Sequence, residues 1–226
     1  MPKQTPIVIF GAGGFAREVL QIILDINDES ANSPSWEPLG FIVEEGYPNT
    51  PNTVHGLPVQ LGYDWLAQHP EVHVVIAVGS SAGRSKIAAR VSACGNAFAT
   101  LVHPKAWLGR QVAIGPGSVV CAGSLITTDI EIGEHVHINI GCTVGHDAKL
   151  GNFVTLNPRV SISGNVALGN GCEIGTGSVL IPHSNVGAWS IVGAGAIVTK
   201  PLSPNVTAVG APARIIKTRE PGWHES

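Results

Sequence analysis

The sequence predicts a small α/β, Rossmann-like N-terminal domain followed by a parallel β-helix built from hexapeptide repeats. Two observations support this fold class. The chain opens with a short apolar strand, a Gly-rich turn and a segment with helical spacing, and an aliphatic residue recurs at every sixth position of the second half. We therefore expect an α/β domain at residues 1–100, a β-helix at 101–200 and a C-terminal extension at 201–226.

Strands and helices are predicted to alternate along the first half. Continuous apolar runs mark the strands, and apolar residues three and four apart mark the first helix. The predicted order is strand Pro6–Phe10, turn Gly11–Gly14, helix Ala16–Ile26, strand Leu39–Val43, surface loop Gly46–Pro58, strand Val72–Val78, turn Gly79–Ser81 and a helix from about Arg84 to Cys94. This order is typical of a small βαβ sheet.

The Gly-rich turn is the first candidate binding site. Residues Gly11–Ala16 follow a strand and open a helix, so their backbone N–H groups and the positive helix end can hold a phosphate. The same residues fit a dinucleotide motif, but Glu44 lies 30 residues beyond Gly14, whereas such motifs place their acid about 20 residues on. A nucleotide-sugar site is preferred, with an NAD site and a structural turn left open.

The second half repeats every six residues. Short strands with Gly at the corners, and a small residue four positions after each aliphatic one, fill the narrow interior of a parallel β-helix. The aliphatic positions are Val102, Leu108, Ile114, Val120, Ile126, Ile132, Ile138, Val144, Leu150, Leu156, Ile162, Leu168, Ile174, Leu180, Val186, Val192 and Val198. The pattern resembles the left-handed hexapeptide-repeat acyltransferases, which implies three sides and 18 residues per coil.

Composition excludes several classes of protein. Thirteen basic and sixteen acidic residues give a net charge of −3, so we expect no broad basic face for nucleic acid or an anionic membrane. No apolar run approaches the roughly 18 residues of a membrane span, and the start lacks a signal-peptide layout, which predicts a cytoplasmic protein. The four cysteines form no CxxC pair, which favours buried thiols.

His146 and Asp147 are the strongest candidates for chemistry among the nine histidines. They follow Val144 at a predicted corner, and an imidazole beside a carboxylate can take a proton from a nucleophile. One coil of 18 residues places Gly164 over His146, where it would leave room for a thioester and offer an N–H to an oxyanion. From these residues alone, a catalytic base and a surface histidine are equally open.

Two other histidines, His135 and His137, alternate along a predicted strand and therefore point to one face. A solvated or interface pair is the preferred interpretation, and a ligand pair is the alternative.

Five motifs together resemble the family of sialic-acid O-acetyltransferases and nucleotide-amino-sugar N-acetyltransferases, typified by the bacillosamine-pathway enzymes. The resemblance extends to about residue 216. The motifs are the Gly11–Glu18 turn, the apolar strand ending at Gly79, the stretch from Asn139 to His146-Asp147, the Gly164-Asn165-Val166 turn and the closing Gly210-Ala211-Pro212-Ala213-Arg214.

The resemblance implies roles for individual residues. His146 is similar to the family's general base, Asp147 to its acidic partner and Asn139 to an asparagine near the acceptor amine. Acetyl-CoA would lie between neighbouring coils of a homotrimer, with contacts at Thr155, Gly164, Thr176 and Ala194. The nucleotide site would comprise Gly13, Gly14, Phe15, Val43, Glu44 and Gly79. Phe15, Val43 and Thr155 depart from the residues common in the family.

These observations lead to one preferred function and three alternatives. We expect acetyl transfer from acetyl-CoA to the amino group of a nucleotide-linked amino sugar, with no metal. O-acetylation of a sugar hydroxyl, such as that of a sialic acid, is the nearest alternative. A γ-type carbonic anhydrase needs three histidines on zinc, but Ser178 and Ala188 stand where a partner for His183 would be required. A non-catalytic scaffold is disfavoured by His146-Asp147.

Overall fold

The computed structural model describes residues 4–29, 36–47 and 50–225. Its first part alternates strands with helices, as the sequence predicts. The elements are β1 (Thr5–Phe10), α1 (Gly14–Glu29), β2 (Trp36–Val43), β3 (Thr53–Val54), β4 (Leu57–Leu61), α2 (Asp64–Gln68), β5 (His73–Ile76) and α3 (Ser81–Ala93).

These strands form one five-stranded sheet in the order β3-β4-β2-β1-β5. The central strand β1 is parallel to both β2 and β5, and α1 packs on the sheet through a buried face that includes Val19 and Ile23. Strand order reverses beside β1, because the chain runs from β1 to β2 on one side and returns to β5 on the other. Ligands of such sheets bind at this switch point, outside the carboxyl ends of the strands.

The predicted surface loop Gly46–Pro58 is partly wrong. Strand β3 pairs with β4 in an antiparallel hairpin. Two successive residues with positive φ, His55 and Gly56, make the tight reversal whose twist suits a two-residue hairpin. Residues 48 and 49 of the predicted loop lie outside the described residues.

A parallel β-helix follows, built from very short strands. In chain order they are β6 (Leu101–Val102), β7 (Trp107–Leu108), β8 (Val112–Ile114), β9 (Val119–Val120), β10 (Leu125–Ile126), β11 (Ile130–Ile132), β12 (His137–Ile138), β13 (Thr143–Val144), β14 (Lys149–Leu150), β15 (Thr155–Leu156), β16 (Ser161–Ile162), β17 (Ala167–Leu168), β18 (Glu173–Ile174), β19 (Val179–Leu180), β20 (Ile191–Val192) and β21 (Ile197–Val198).

Each strand pairs with the strand one coil away, so that residues 18 apart in sequence are neighbours. Thr143 pairs with Ser161, for example, and His137 with Thr155. The aliphatic residues of the hexapeptide repeat point inward, and most of them are fully buried. The predicted α/β half followed by a left-handed parallel β-helix is therefore confirmed.

The β-helix has three faces with different surroundings. The junction face, which includes β9, β12, β15 and β18, packs against the α/β part through outward residues such as Val119 and His137. The polar face (β8, β11, β14 and β17) presents an exposed ion pair between Lys149 and Glu131 at 2.8 Å. The apolar face (β7, β10, β13, β16, β19 and β21) presents exposed Trp107 and Leu125.

The segment after residue 200 completes the junction face. Strand β22 (Val206–Val209) continues the parallel ladder from β20, and β23 (Arg214–Thr218) turns back antiparallel to β22. The His224 ring stacks on Trp189 at 3.6 Å. Within the described ranges, no helix is long and apolar enough to cross a membrane.

The thiols agree with the prediction in three cases of four. Cys121, Cys142 and Cys172 are free and buried in the core, whereas Cys94 is free and half-buried. Burial raises the pKa of the Cys172 thiol to about 12, which makes it an inert core residue.

The two alternating histidines lie at the contact between the α/β part and the β-helix. His135 is 2% exposed; its ring stacks on Phe153 and meets the Phe98 ring edge-on. His137 is 1% exposed, and its Nε2 lies 2.9 Å from the carbonyl oxygen of Ile76. The interface interpretation of this pair is therefore right, and a solvated position is wrong.

Burial of these rings predicts that the fold is acid-sensitive. Desolvation and the nearby Arg84 cation lower the pKa of His135 to about 4 and that of His137 well below its usual range. A lowered pKa in the folded state means that stability is full above the unfolded value of about 6.5 and is lost as the pH falls toward 4. We expect protonation of His135 alone to lower the free energy of unfolding by about 3 kcal/mol over this range.

Urea unfolding between pH 7 and pH 4 measures this loss. The variant His135→Phe keeps an aromatic ring but cannot be protonated, so its free energy of unfolding should fall less steeply with acid. An identical slope in the variant would show that His135 does not bind the proton.

Candidate active site

His146 and Asp147 lie on the corner between the apolar and polar faces, which we call the His146 edge (residues 145–148 and 163–166). The His146 Nδ1 atom is 2.7 Å from Asp147 Oδ2, and both side chains are more than half exposed. Asp147 has a φ of 59°, a left-handed conformation that the tight corner requires. In the neutral tautomer that donates its Nδ1–H to this carboxylate, Nε2 is free to accept a proton.

Gly164 lies directly against the His146 ring. Asn165 N donates to His146 O at 2.9 Å, which fixes the register of the two coils. A Cβ atom added to Gly164 would be 2.6 Å from His146 Nε2, closer than any real Cβ contact. Gly164 therefore lies beside His146, as the 18-residue spacing predicts. Its N–H has no acceptor in the described part of the chain.

Thr176 and Ala194 stack on a different corner, between the junction and apolar faces. We call it the Asn139 edge (residues 139–142, 157–160, 175–178 and 193–196). Gly195 N donates to Thr176 O at 2.8 Å, which joins the two coils here. The predicted coenzyme contacts are thus divided: Gly164 shares an edge with His146, and the other two residues lie across the apolar face.

Asn139 also lies on the Asn139 edge, away from His146 of the same chain. Its Nδ2 donates to Leu156 O at 2.9 Å, and Asn157, one coil on, donates in the same way to Ile174 O at 3.0 Å. The Asn139 side chain therefore joins neighbouring coils. Asn139 is half-buried. Its role near an acceptor amine stays a prediction.

Thr155, a predicted coenzyme contact, lies on the junction face and not on either open edge. This side chain is 4% exposed and points into the junction between the two parts of the chain. Its Oγ1 lies 2.9 Å from Arg84 Nη2, 3.2 Å from Ser81 Oγ and 3.3 Å from Gly79 O. The α3 segment covers this part of the junction face, so Thr155 has no surface to offer a coenzyme.

The Gly-rich turn lies at the switch point of the α/β sheet. Gly11 N donates to Ile42 O at 2.7 Å. Gly11 has a φ of 115°, and a Cβ atom added to it would lie only 3.1 Å from Ala77 O. Helix α1 begins at Gly14, and the N–H groups of a first helical turn have no intrahelical partner. Gly13 and Gly79 are both open to an approaching ligand, since a Cβ on either would contact nothing.

A cavity of about 390 Å³ opens beside this turn at the carboxyl ends of the strands. Val43 and Glu44, both predicted nucleotide contacts, line it together with Gly11, Lys86 and Arg90. The two cations carry no functional signal in the sequence, because helix α3 shows an ordinary alternation of polar and apolar residues.

Glu44 is fixed in place by two neighbours. Arg90 Nη1 and the Tyr63 hydroxyl donate to Glu44 Oε1 at 2.8 and 2.7 Å, and the guanidinium lies 3.8 Å over the Tyr63 ring. Partial burial, with the Glu44 carboxylate, raises the pKa of Tyr63, so its hydroxyl remains a donor. The second carboxylate oxygen of Glu44 is available to a ligand in the cavity.

Phe15 does not line this cavity. Its ring packs 4.9 Å from the His137 ring, between α1 and the junction face. The aromatic side chain at this position therefore serves the contact between the two parts of the chain.

No group of three or more histidine, cysteine, aspartate or glutamate side chains could hold a metal ion within residues 4–29, 36–47 and 50–225.

Comparison with known proteins adds a family match. Residues 6–91 match the model of the PglD N-terminal domain. The structure is similar to that of WeeI from Acinetobacter baumannii, with 32% identity, coverage of 93% of this chain and 99% of that chain, and a TM-score of 0.81.

It is also similar to perosamine N-acetyltransferase from Caulobacter crescentus in complex with CoA and GDP-perosamine. Identity is 29%, coverage is 94% of this chain and 97% of that chain, and the TM-score is 0.84. Two further structures of that enzyme carry asparagine or alanine in place of one histidine.

The curated relatives are acetyltransferases that this chain matches over part of their length. Serine acetyltransferase from Escherichia coli is 31% identical over 121 residues, which is 53% of this chain and 38% of that protein. The chain thus spans less than two fifths of the length of the first curated relatives it matches.

Proposed function

Because the chain belongs to the family of nucleotide-amino-sugar N-acetyltransferases typified by the bacillosamine-pathway enzymes, we propose that it transfers the acetyl group of acetyl-CoA to the amino group of a nucleotide-linked amino sugar. The strongest structural support is the His146 ring, whose Nε2 lies against Gly164 on an open corner of an acyltransferase β-helix. Its relatives include perosamine N-acetyltransferase and serine acetyltransferase, so the chain is an acyltransferase.

In the proposed reaction, the neutral amine attacks the thioester carbonyl. A C–N bond forms, the C–S bond breaks, and the amine proton passes to His146 Nε2. Asp147, 2.7 Å from Nδ1, stabilises the imidazolium and fixes the ring tautomer. The Gly164 N–H is the available donor for the oxyanion. The departing CoA thiolate then takes the proton, which returns His146 to its neutral form.

The nucleotide part of the acceptor is proposed to occupy the cavity at the switch point. The backbone N–H groups of Gly13 and Gly14 lie at the start of α1, where they and the helix dipole favour an anionic diphosphate. Lys86 and Arg90 add positive charge to the cavity wall, and Glu44 can accept from a nucleoside N–H or ribose hydroxyl. We expect the protein to act in the cytoplasm, where acetyl-CoA and nucleotide-linked sugars are made.

A homotrimer explains why the predicted coenzyme contacts are divided between two edges. The apolar face separates these edges, and its outward column includes Trp107, Leu125, Val179 and Ile197, all more than a third exposed. If three chains pack their apolar faces around a threefold axis, the His146 edge of one chain meets the Asn139 edge of the next. One complete site then forms at each of the three interfaces.

This arrangement predicts that Leu125→Glu separates the trimer and removes activity. A charge in a close-packed apolar interface is costly to desolvate, so we expect monomers in sedimentation equilibrium and a loss of activity of at least about 100-fold, since proximity of the substrates supplies much of the rate. Ala113→Glu adds the same charge on the polar face and should change neither property. A fully active Leu125→Glu monomer would contradict the shared site.

The proposed function is tested by thiol release from acetyl-CoA. Purified protein is assayed with UDP-, dTDP- and GDP-linked amino sugars, with the same sugars lacking the amino group, and with free sialic acid. Release only with a nucleotide-linked amino sugar supports the proposal. Release with a hydroxyl acceptor would instead favour O-acetylation, and silence with the whole panel would overturn acetyl transfer to these acceptors.

A further inference from the structure

Arg84 is a buried cation between the two parts of the chain. It belongs to α3, is 0% exposed, and all five of its N–H groups are used. Its Nε donates to His135 O at 2.8 Å, and Nη2 donates to Phe153 O at 2.8 Å, both in the β-helix. Its Nη1 donates to Val78 O at 2.8 Å and Gly79 O at 3.2 Å, just after β5. Burial lowers the pKa of Arg84 to about 9, so it remains charged at neutral pH.

Thr155 completes this contact from the side of the β-helix. Its hydroxyl accepts from Arg84 Nη2 and from Ser81 Oγ, and donates to Gly79 O. One donor and two acceptors are the full capacity of a hydroxyl. Ser81 N, at the start of α3, donates to Glu173 Oε1 of the next coil at 2.7 Å.

The cluster joins the β-helix to the segment 78–81, which the catalytic chemistry does not use. That segment follows β5 and forms one wall of the nucleotide cavity, with Val78 among its lining residues. Its two carbonyl groups and one N–H are held by side chains whose other contacts are in the β-helix. The position of the cavity wall is therefore set by the β-helix.

A second contact between the two parts of the chain lies away from the cavity. His103 Nε2, from the start of the β-helix, is 2.8 Å from Asp25 Oδ2 of α1. Lys105 N donates to His103 Nδ1, which leaves Nε2 as the donor to Asp25. Asp25 is 11 residues, or about 16 Å, along α1 from Gly14. This second contact joins the same two parts without touching the nucleotide cavity.

We propose that Arg84 is a positioning residue that, through Thr155, holds the segment 78–81 against the β-helix and so fixes the nucleotide cavity relative to the catalytic edge. The inference rests on the proposed function. A merely structural Arg84 would affect stability alone, whereas a positioning residue also affects how the nucleotide-linked acceptor binds.

Kinetics of four variants test this role. Arg84→Lys keeps the charge but cannot reach several carbonyl groups at once, and Thr155→Val removes only the hydroxyl. Loss of one such hydrogen bond weakens binding about fivefold, and loss of several bonds to a cation weakens it tenfold or more. We expect rises of about this size in KM for the nucleotide-linked amino sugar, with an unchanged KM for acetyl-CoA. Thr155→Ser, which keeps the hydroxyl, should restore the wild-type KM.

Asp25→Ala is the matched control, because it breaks the other contact between the same two parts. It should lower Tm without raising KM for the nucleotide-linked amino sugar. Equal KM values in Thr155→Val and wild type, or an equal rise in Asp25→Ala, would overturn the positioning role. A wild-type protein that is inactive with every acceptor would overturn the proposed function instead, so the two failures are distinguishable.

Discussion

Replacing His146 with alanine is expected to lower kcat by about 10²- to 10⁴-fold, the range that general-base catalysis contributes. The His146 Nε2 atom faces the backbone of Gly164, where the attacking amine and the thioester would meet. The side chain is 60% exposed, and its only side-chain hydrogen-bond partner among the described residues is the similarly exposed Asp147. We therefore expect Tm to remain unchanged.

Steady-state thiol release with saturating substrates measures this loss. Asp147→Asn is the informative companion, because an amide that donates to Nδ1 would favour the tautomer with the proton on Nε2. We expect a substantial loss of kcat in that variant too, without a change in trimer content. Full activity of His146→Ala would remove the base from the mechanism.

Gly164→Ala is expected to lower kcat by about 100-fold through its effect on the His146 ring. The added methyl group would lie 2.6 Å from His146 Nε2 and 2.7 Å from Cε1, so the ring must turn away from its present position. A displacement of about 1 Å at a reacting group is enough for a loss of this size. Since the ring is exposed and free to move, stability should change little.

A double-variant cycle separates this effect from damage to the coil. If Gly164→Ala acts through the ring, then adding it to His146→Ala should cost little further activity, and the two losses will not add. Additive losses would mean that the methyl group obstructs the substrate directly or deforms the corner. Thermal unfolding of all three variants identifies deformation of the corner, which would lower Tm.

The sequence predicted the β-helix and its His146 edge for a simple physical reason. A coil of fixed length imposes one register on every strand, so the spacing of 18 residues between His146 and Gly164 determines which backbone lies beside the ring. The same register stacks Thr176 under Ala194. Periodic inward aliphatic residues leave no second way to bury the core, which is why these local predictions hold.

The contact between the two parts of the chain could not be predicted in this way. The repeat shows that Thr155, His135 and His137 point outward, but it does not show what covers that face. Helix α3 covers it, and a buried Arg84 at the start of this helix reads in the sequence as an ordinary exposed charge. The packing of the Phe15 ring across the junction onto His137 was hidden for the same reason.

The most direct test of the account is identification of the reaction product. Protein, acetyl-CoA and a nucleotide-linked amino sugar are incubated together, and the isolated nucleotide sugar is examined by mass spectrometry and NMR before and after mild alkali. We expect a product that is heavier by one acetyl group, bound to nitrogen as an amide and stable to alkali. An acetyl group on oxygen, removed by alkali as an ester, would contradict it.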